Sequence, residues 1–264
     1  MALVYLLGGL SQRFGGGIKP LACIGKNDEP MLEVSLQQAF SAGFTKIVFI
    51  VSPLTYKSYL EYFGSSYRGI QIVYAFQKYD SVIRDKPWGT ADAICSAAPF
   101  LTTPFVLCNG DDLYGASSFE QASEFLKNFN DNVMIGYQLK EVVPDLGEVN
   151  RAIIRADEHE RIMSVREEFG VSFEKIEKGI LEGNALCSMN LFGMHQFILQ
   201  EIQKKVDDFK KESKSRTAEC LLPEVLNMLI NENKSVFRVI PAHERWIGIT
   251  YLSDVERVKG QLKN

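Results

Sequence analysis

The sequence predicts an α/β fold, a mostly parallel sheet flanked by helices on both faces. Three observations carry this. Short apolar runs alternate with amphipathic stretches through the first half of the chain, the pattern of strand–helix–strand units. The runs Leu3 to Leu7, Lys46 to Val51 and Pro104 to Cys108 are almost continuously apolar, as strands covered on both faces must be. Each strand runs into polar or glycine-rich residues, notably Gly8-Gly9, Gln77 and Asn109-Gly110-Asp111-Asp112. Ligands of open α/β sheets gather at that carboxyl edge.

The elements follow in order. Leu3 to Leu7 reads as a buried strand, and the loop after it holds Gly8, Gly9, Ser11, Arg13, Gly15 to Gly17 and Lys19-Pro20. Met31 to Ala42 reads as a helix with Leu32, Leu36, Ala39 and Phe40 on one face and Gly43 as its C-terminal glycine. Lys46 to Val51 is a strand. Leu54 to Phe63 is a helix with Leu54, Leu60 and Phe63 inward. Ile70 to Phe76 is a strand ending at Gln77, and Ala91 to Ala98 a short helix after Trp88-Gly89-Thr90. Pro104 to Cys108 is a strand. A helix from Ser118 to about Asn128 takes Ser117 or Ser118 as its cap.

Asn132 to Leu139 is the next strand. Arg151 to Ala156 and Arg161 to Val165 are two strands joined at Asp157-Glu158. Residues 169–183 read as a polar loop or lid. Ala185 to Gly193 is strand-like, His195 to Lys211 and Ala218 to Asn231 are helices, Ser235 to Ile240 a short strand, and Ser253-Asp254 the start of a last helix. The whole, 1–264, reads as one domain, with the region from about 140 to 190 as an inserted or appended subdomain.

Composition bounds the partners. The 264 residues carry a net charge of −4, with 46% hydrophobic and 23% charged content. No basic surplus points to nucleic acid or to an anionic membrane. No run reaches the length of a membrane span, and no basic-then-apolar leader opens the chain. Five scattered cysteines without a C-x-x-C fit buried, reduced thiols and a cytoplasmic location.

The glycine loop suggests a phosphate cradle. Glycine lets backbone N–H groups approach an anion and takes positive φ where a loop needs it, and Arg13 and Lys19 add positive charge. The loop lacks the P-loop and dinucleotide spacings, and a flexible turn with two solvated basic residues is an equal reading of the loop alone. Asp111 beside such a cradle suits Mg²⁺, which is commonly held by one or two carboxylates plus substrate phosphates. Asp111-Asp112 also reads as a turn. The Gln77 amide, with Gly89-Thr90, could read a base edge, since an amide offers both donor and acceptor; an ordinary strand-end residue is the alternative. Trp88 reads equally as core or as a stacking platform.

Five ordered stretches carry a resemblance across nearly the whole chain: Leu6 to Pro20 (LLGGLSQRFGGGIKP), Lys86-Pro87-Trp88-Gly89-Thr90, Asn109 to Gly115 (NGDDLYG), Ser188 to Gly193 (SMNLFG) and Trp246 to Tyr251 (WIGITY). On these the sequence resembles the nucleoside-triphosphate transferases of the sugar nucleotidyltransferase type, nearest a bacterial glucose-1-phosphate uridylyltransferase-like branch. The resemblance implies a Rossmann-like sheet of the nucleotide-diphospho-sugar transferase type with a small β-rich sugar-binding subdomain. It implies a nucleotide-binding half over about 1–139 and a sugar-phosphate-binding half with C-terminal helices over 140–264.

The implied reaction is attack of a sugar 1-phosphate on the α-phosphate of a nucleoside triphosphate, UTP favoured, with Mg²⁺ and release of pyrophosphate. By motif position, Gly8, Gly9, Gln77, Gly89 and Thr90 would contact the nucleotide. Arg13 would hold the leaving pyrophosphate and Lys19 the charge at the α-phosphate. Asp111 would ligate the metal. Asn109, Arg151, Glu167 and Asn190 would contact the sugar phosphate. The chain departs from the pattern at Gln12, at the extra glycine of 15–17, at Glu168, where many members carry lysine, and at Gly248, where the broader family carries a second metal aspartate; Asp254 is the nearest later carboxylate. A cytidylyltransferase acting on a phosphorylated alcohol, or a non-catalytic nucleotide-binding regulator, fits the same loop. The oligomeric state is left open, a homo-oligomer included.

Overall fold

The computed structural model describes residues 1–9, 17–144, 147–249 and 254–263. Its strands are β1 (Ala2–Leu6), β2 (Lys46–Val51), β3 (Ser66–Tyr67), β4 (Ile70–Phe76), β5 (Phe105–Asn109), β6 (Asp112–Leu113), β7 (Asn132–Gln138), β8 (Val149–Ala156), β9 (Ile162–Val171), β10 (Leu186–Met194), β11 (Phe237–Pro241) and β12 (Ile247–Gly248). Its α-helices are α1 (Met31–Ala39), α2 (Tyr56–Phe63), α3 (Thr90–Ala97), α4 (Ala116–Asn128), α5 (Leu139–Val142), α6 (Phe173–Glu177), α7 (Ile198–Glu212), α8 (Leu222–Asn231) and α9 (Asp254–Lys263).

The main sheet has the order β11-β7-β10-β5-β1-β2-β4-β3. Strands β4, β2, β1 and β5 are mutually parallel, and β11 is parallel to β7. Strand β10 runs antiparallel to both β5 and β7. The predicted mostly parallel α/β architecture is the one observed. All four parallel strands therefore end at one edge, and that edge collects Gly8, Ser52, Gln77 and Asp111 as the residues just past β1, β2, β4 and β5.

Two cores cover the sheet. Alternation along β1 sends Leu3, Tyr5 and Leu7 to one face and Ala2 and Val4 to the other. The first face buries Leu32, Leu36, Tyr59, Phe119 and Ala122 from α1, α2 and α4. The second buries Ile94, Ile202, Val206, Leu226 and Leu229 from α3, α7 and α8. Burying each large aliphatic or aromatic side chain contributes about 1.5–3 kcal/mol. A third, small cluster of Ile24, Met31, Leu113, Ile249 and Val258 docks α9.

Strands β8 and β9 form an antiparallel hairpin that leaves the main sheet through β10. Cys187 and Ser188 pair with Ile153 and Ala152 of β8, whereas Phe192 to Met194 pair with β5. The register shift on β10 falls between Ser188 and Phe192. Asn190 sits in that shift at φ 64°, the one non-glycine positive φ inside a strand among the described residues.

Several local expectations are corrected. Helix α2 begins at Tyr56, after a turn in which Thr55 N donates to Ser52 Oγ, so the inward stripe is Tyr59 and Phe63; Leu54 is 68% and Leu60 37% exposed. Helix α1 ends at Ala39 in a 3-10 turn, which rotates Phe40 outward beneath the Arg68 guanidinium. Gly43 does take the left-handed φ of 79°. Helix α4 starts at Ala116, one turn position before the predicted serine caps. Gly115 N donates to Gln38 Oε1 and Ser117 N to Glu244 Oε1, so distant side chains satisfy its first turn.

The predicted loop over 169–183 is partly ordered: β9 runs on to Val171 opposite Val149, and α6 follows with Ser172 as cap. Helix α7 begins at Ile198, because His195 is buried on Asn132 Oδ1 and Phe129 O. Helix α8 begins at Leu222, whose N–H is met by Thr90 Oγ1 at 2.8 Å. All five cysteines are free, and Cys108, Cys187 and Cys220 are buried as expected, but Cys23 is exposed. Ser253 lies outside the described residues. Among those described, no helix is long and apolar enough to cross a membrane.

Candidate active site

The carboxyl edge is wired together by backbone and short side chains. Leu7 N donates to Ile50 O, Gln77 N to Val51 O, Gly110 N to Leu6 O, and Thr55 Oγ1 to Leu7 O. These bonds hold the start of the glycine loop between the ends of β2, β4 and β5. Arg13, Ser11, Gln12, Gly15 and Gly16 lie outside the described residues. Gly8 and Gly9 do not have positive φ, contrary to the expectation for such a loop. Among the described residues a side chain at Gly9 would meet nothing within 4 Å, and one at Gly8 would come to 3.5 Å from Gln77 Oε1. Gly8 brings the backbone close beside Gln77.

Lys19 and Asp111 are brought together across this edge, Nζ to Oδ2, at 2.6 Å. Lys19 opens a 3-10 turn with Pro20 fixed behind it. Asp111 follows β5 and keeps a side-chain exposure of 33%. Its neighbour is of another kind. Asp112 is buried and accepts from Asn109 Nδ2 at 2.9 Å; Tyr114 Oη lies 3.2 Å from the same oxygen and donates to Met189 O at 2.8 Å. Burial, followed by the adjacent Asp111 carboxylate, pushes Asp112 up to about 7. Two adjacent aspartates thus differ, one accessible and one buried in a hydrogen-bonded frame.

The base-reading candidates turn out to be partly occupied. Gln77 is 7% exposed, and its Nε2 donates to Gly89 O and to Asp92 Oδ2, both at 2.9 Å. Only Oε1 is left to a ligand, so the residue offers an acceptor, not the donor-and-acceptor pair the sequence suggested. Thr90 Oγ1 faces Leu222 N. Gly89 stands at φ 99°, and a Cβ there would reach Cys220 O at 2.5 Å. Gly89→Ala is therefore expected to cost about 1–3 kcal/mol from backbone strain alone, read as a lowered urea midpoint; an unchanged midpoint would contradict this packing. Trp88 is a packing residue: the Arg84 guanidinium lies 3.5 Å from its ring centroid and Phe209 meets its edge. Arg84 is itself buried, donating to the carbonyls of Lys86, Ser215 and Ala218. It clasps the 80–88 loop to residues 215–218.

The hairpin supplies a second group. Arg151 Nε and Nη2 donate to Val142 O and Nη1 to Asn150 O, so three of five guanidinium donors are engaged. Burial lowers its pKa. Its guanidinium lies 5.6 Å from the Trp246 ring centroid. Burial raises Glu167, opposed by the Arg151 charge. Lys175 is held by Glu148 at 3.2 Å and Gly170 O at 2.6 Å, and Glu168 is an exposed partner of Arg151 in the register. Asn190, continued from the pairing of Phe192 with Leu107, comes to the level of Asn109.

The departure at Gly248 has a steric basis. It pairs with Asp112 in β12, and a Cβ there would fall 2.2 Å from the Trp246 ring and 3.0 Å from Asp112 Oδ1. A carboxylate at that position would collide with Trp246 and with the buried Asp112. Asp254, the other metal candidate, opens α9 with Arg257 at 3.7 Å. Among the described residues no cluster of three or more His, Cys, Asp or Glu side chains is built to hold a metal.

The family described as nucleotidyl transferase matches residues 15–168, more than half of the chain. The chain belongs to the nucleotidyl transferase family. This is a family of enzymes. No curated protein matches the chain in sequence. Solved structures share its fold over nearly the whole length. The inositol-1-phosphate CTP transferase from T. maritima is 15% identical at a TM-score of 0.67, covering 100% of this chain and 96% of that one. A UDP-glucose pyrophosphorylase complexed with UDP-glucose is 14% identical at 0.69, covering 99% and 98%. A Bacillus anthracis protein assigned as a glucose-1-phosphate thymidylyltransferase, in complex with a sucrose, is 16% identical at 0.69, covering 100% and 95%.

Sequence reasoning missed Asp92, Lys210, Arg84 and Tyr114. Asp92 carried a faint signal, a carboxylate in the first turn of a helix just after Gly89-Thr90. Tyr114 lies inside the Asn109 to Gly115 stretch, whereas Lys210 and Arg84 are joined to the site only through the fold.

Proposed function

We propose that this nucleotidyltransferase joins a nucleoside triphosphate, UTP favoured, to a sugar 1-phosphate. A phosphate oxygen of the sugar 1-phosphate attacks the α-phosphorus; that P–O bond forms as the bond to the β-phosphate oxygen breaks, and pyrophosphate leaves. The step needs positioning and charge neutralisation more than proton transfer. The observation that carries the reading is the Lys19–Asp111 pair at the same sheet edge where Gln77 Oε1 lies beside Gly8.

In this reading Asp111 would anchor Mg²⁺. The donor chemistry fits: one accessible carboxylate oxygen-bearing group, with the remaining positions left to phosphates and water, is how Mg²⁺ is usually bound. The bound ion would supply charge neutralisation to the triphosphate. Lys19 balances Asp111 until substrate arrives and then turns its ammonium to the α-phosphate. Arg13, outside the described residues, is assigned the pyrophosphate by motif alone. Gly8 and Gly9 present the backbone to the nucleotide. Asn109, Asn190, Glu167 and Arg151 are assigned to the sugar phosphate by motif position, although the hairpin register sets Glu167, opposite Ala152, and Arg151, opposite Glu168, on alternate faces; the strained φ of Asn190 supports a functional placement. Residues 1–139 form the nucleotide half in this reading and 140–264 the sugar-phosphate half with the C-terminal helices, although residues 210–222 complete the nucleotide side.

One observation supports a second reading. Gln77 Oε1 also accepts from a cytosine amine, which leaves CTP and a phosphorylated alcohol as alternative substrates; a similar fold, the T. maritima protein, is named a CTP transferase. Pyrophosphate release decides between them. With Mg²⁺, the five common nucleoside triphosphates are assayed against glucose 1-phosphate, other sugar 1-phosphates and alditol phosphates. The expected result is release with UTP and one sugar 1-phosphate. Release with CTP and an alcohol phosphate alone would establish the second reading, and no release with any pair would remove both.

A further inference from the structure

We propose that Asp92 and Lys210 are positioning residues that fix which hydrogen-bonding character Gln77 shows to the nucleobase, and so select bases carrying a ring N–H. The inference rests on the reading of Gln77 as the base contact. An amide is nearly symmetric in shape, and a half-turn of its end exchanges donor for acceptor. A glutamine at a base edge therefore selects nothing unless its surroundings fix it.

Here they do. Nε2 donates to Gly89 O and Asp92 Oδ2, one a carbonyl and the other a carboxylate, groups that accept and offer no donor in return. Turning the amide would place Oε1 against two acceptors in a buried site, and a buried unsatisfied polar group is costly. Lys210 braces Asp92 from the other side, its Nζ pairing with Oδ1, the oxygen Gln77 does not use. The three residues come from β4, α3 and α7. Lys210 also lies 5.8 Å from the Trp88 ring centroid, so its approach is fixed on two sides. Gly89 is held against the Cys220 backbone, which fixes the second acceptor. The outcome is one acceptor, Oε1, beside Gly8. Uracil and thymine present N3–H to such an atom. Cytosine presents an unprotonated N3 at the same place and must shift to use its amine.

The test compares UTP and CTP in the wild type and in Gln77→Leu, Asp92→Asn, Lys210→Met, Lys210→Arg and the Gln77→Leu/Asp92→Asn double variant. Dissociation constants come from calorimetry, with kcat/KM for both nucleotides alongside. Asp92→Asn lets the amide turn, and the UTP preference should fall about tenfold, the worth of one oriented hydrogen bond, through binding and KM with kcat at saturation nearly kept. Lys210→Met should move the ratio in the same direction and Lys210→Arg should retain it. The double variant should match Gln77→Leu, because coupled residues are not additive.

If Gln77→Leu alters the preference and Asp92→Asn and Lys210→Met leave it unchanged, the positioning role is wrong while base reading stands. If Gln77→Leu leaves the preference unchanged, base reading by Gln77 fails first. Should Asp92→Asn not fold, the contrast of Lys210→Met with Lys210→Arg carries the same decision: equal ratios in the two overturn the proposal.

Discussion

Asp111→Ala is expected to abolish Mg²⁺-dependent pyrophosphate release, by roughly 10³-fold or more in kcat, on the scale of losing a preorganised electrostatic group at a phosphoryl centre. The fold should survive. Asp111 is partly exposed and makes its one described contact with Lys19, so removing it leaves no buried group without a partner, and Tm should move by only a few degrees. The control lies next door. Asp112 holds Asn109 and stands at Tyr114, and truncating it should damage the frame itself. A folded Asp111→Ala protein with wild-type turnover would falsify the assignment of the metal anchor. Mg²⁺ titration of both proteins, followed by pyrophosphate release, is the measurement.

Lys19→Met is expected to lower kcat by about 10²–10³-fold with a smaller change in the KM for nucleotide, since a charge placed for the transition state acts mainly there. The pairing in the structure adds a second expectation that the sequence alone did not. At 2.6 Å, Lys19 already neutralises Asp111. Without it, the Asp111 carboxylate is left open to a cation, and Mg²⁺ should bind the nucleotide-free protein more tightly while catalysis falls. Opposite movements in metal affinity and rate are a signature that simple misfolding does not produce. Lys19→Arg keeps the charge and should restore part of the rate. Equal loss of metal binding and rate in Lys19→Met would show instead that Lys19 builds the site without acting in the reaction.

Much of the architecture was legible because it follows from period and punctuation. Apolar runs of strand length alternating with helical stripes leave few ways to bury both faces of a sheet, and the polar residues just past those strands had to share its carboxyl edge. Phases within short helices were less legible. Over 54–63 the apolar residues Leu54, Tyr56, Tyr59, Leu60 and Phe63 allow more than one inward stripe, and the Ser52–Thr55 turn, by starting α2 at Tyr56, chose Tyr59 and Phe63. Helix starts were misplaced where distant groups cap them, as Gln38 and Glu244 do for α4 and Thr90 does for α8. Local cap signals hold no information about partners so far along the chain.

The candidate site divides in the same way. The groups at the sheet edge are readable from residue order alone: a glycine loop with Lys19 beyond it after β1, Gln77 after β4 and Asp111 after β5. What those groups present depends on how the chain packs. It paired Lys19 with Asp111, buried Asp112 among Asn109 and Tyr114, and filled the room beside Gly248 with the Trp246 ring. It also turned Gln77 into an acceptor through Asp92 and Lys210, which are 118 residues apart. Residue type is a local property, whereas the direction of a hydrogen bond and the charge on a carboxylate depend on which distant groups fold against them.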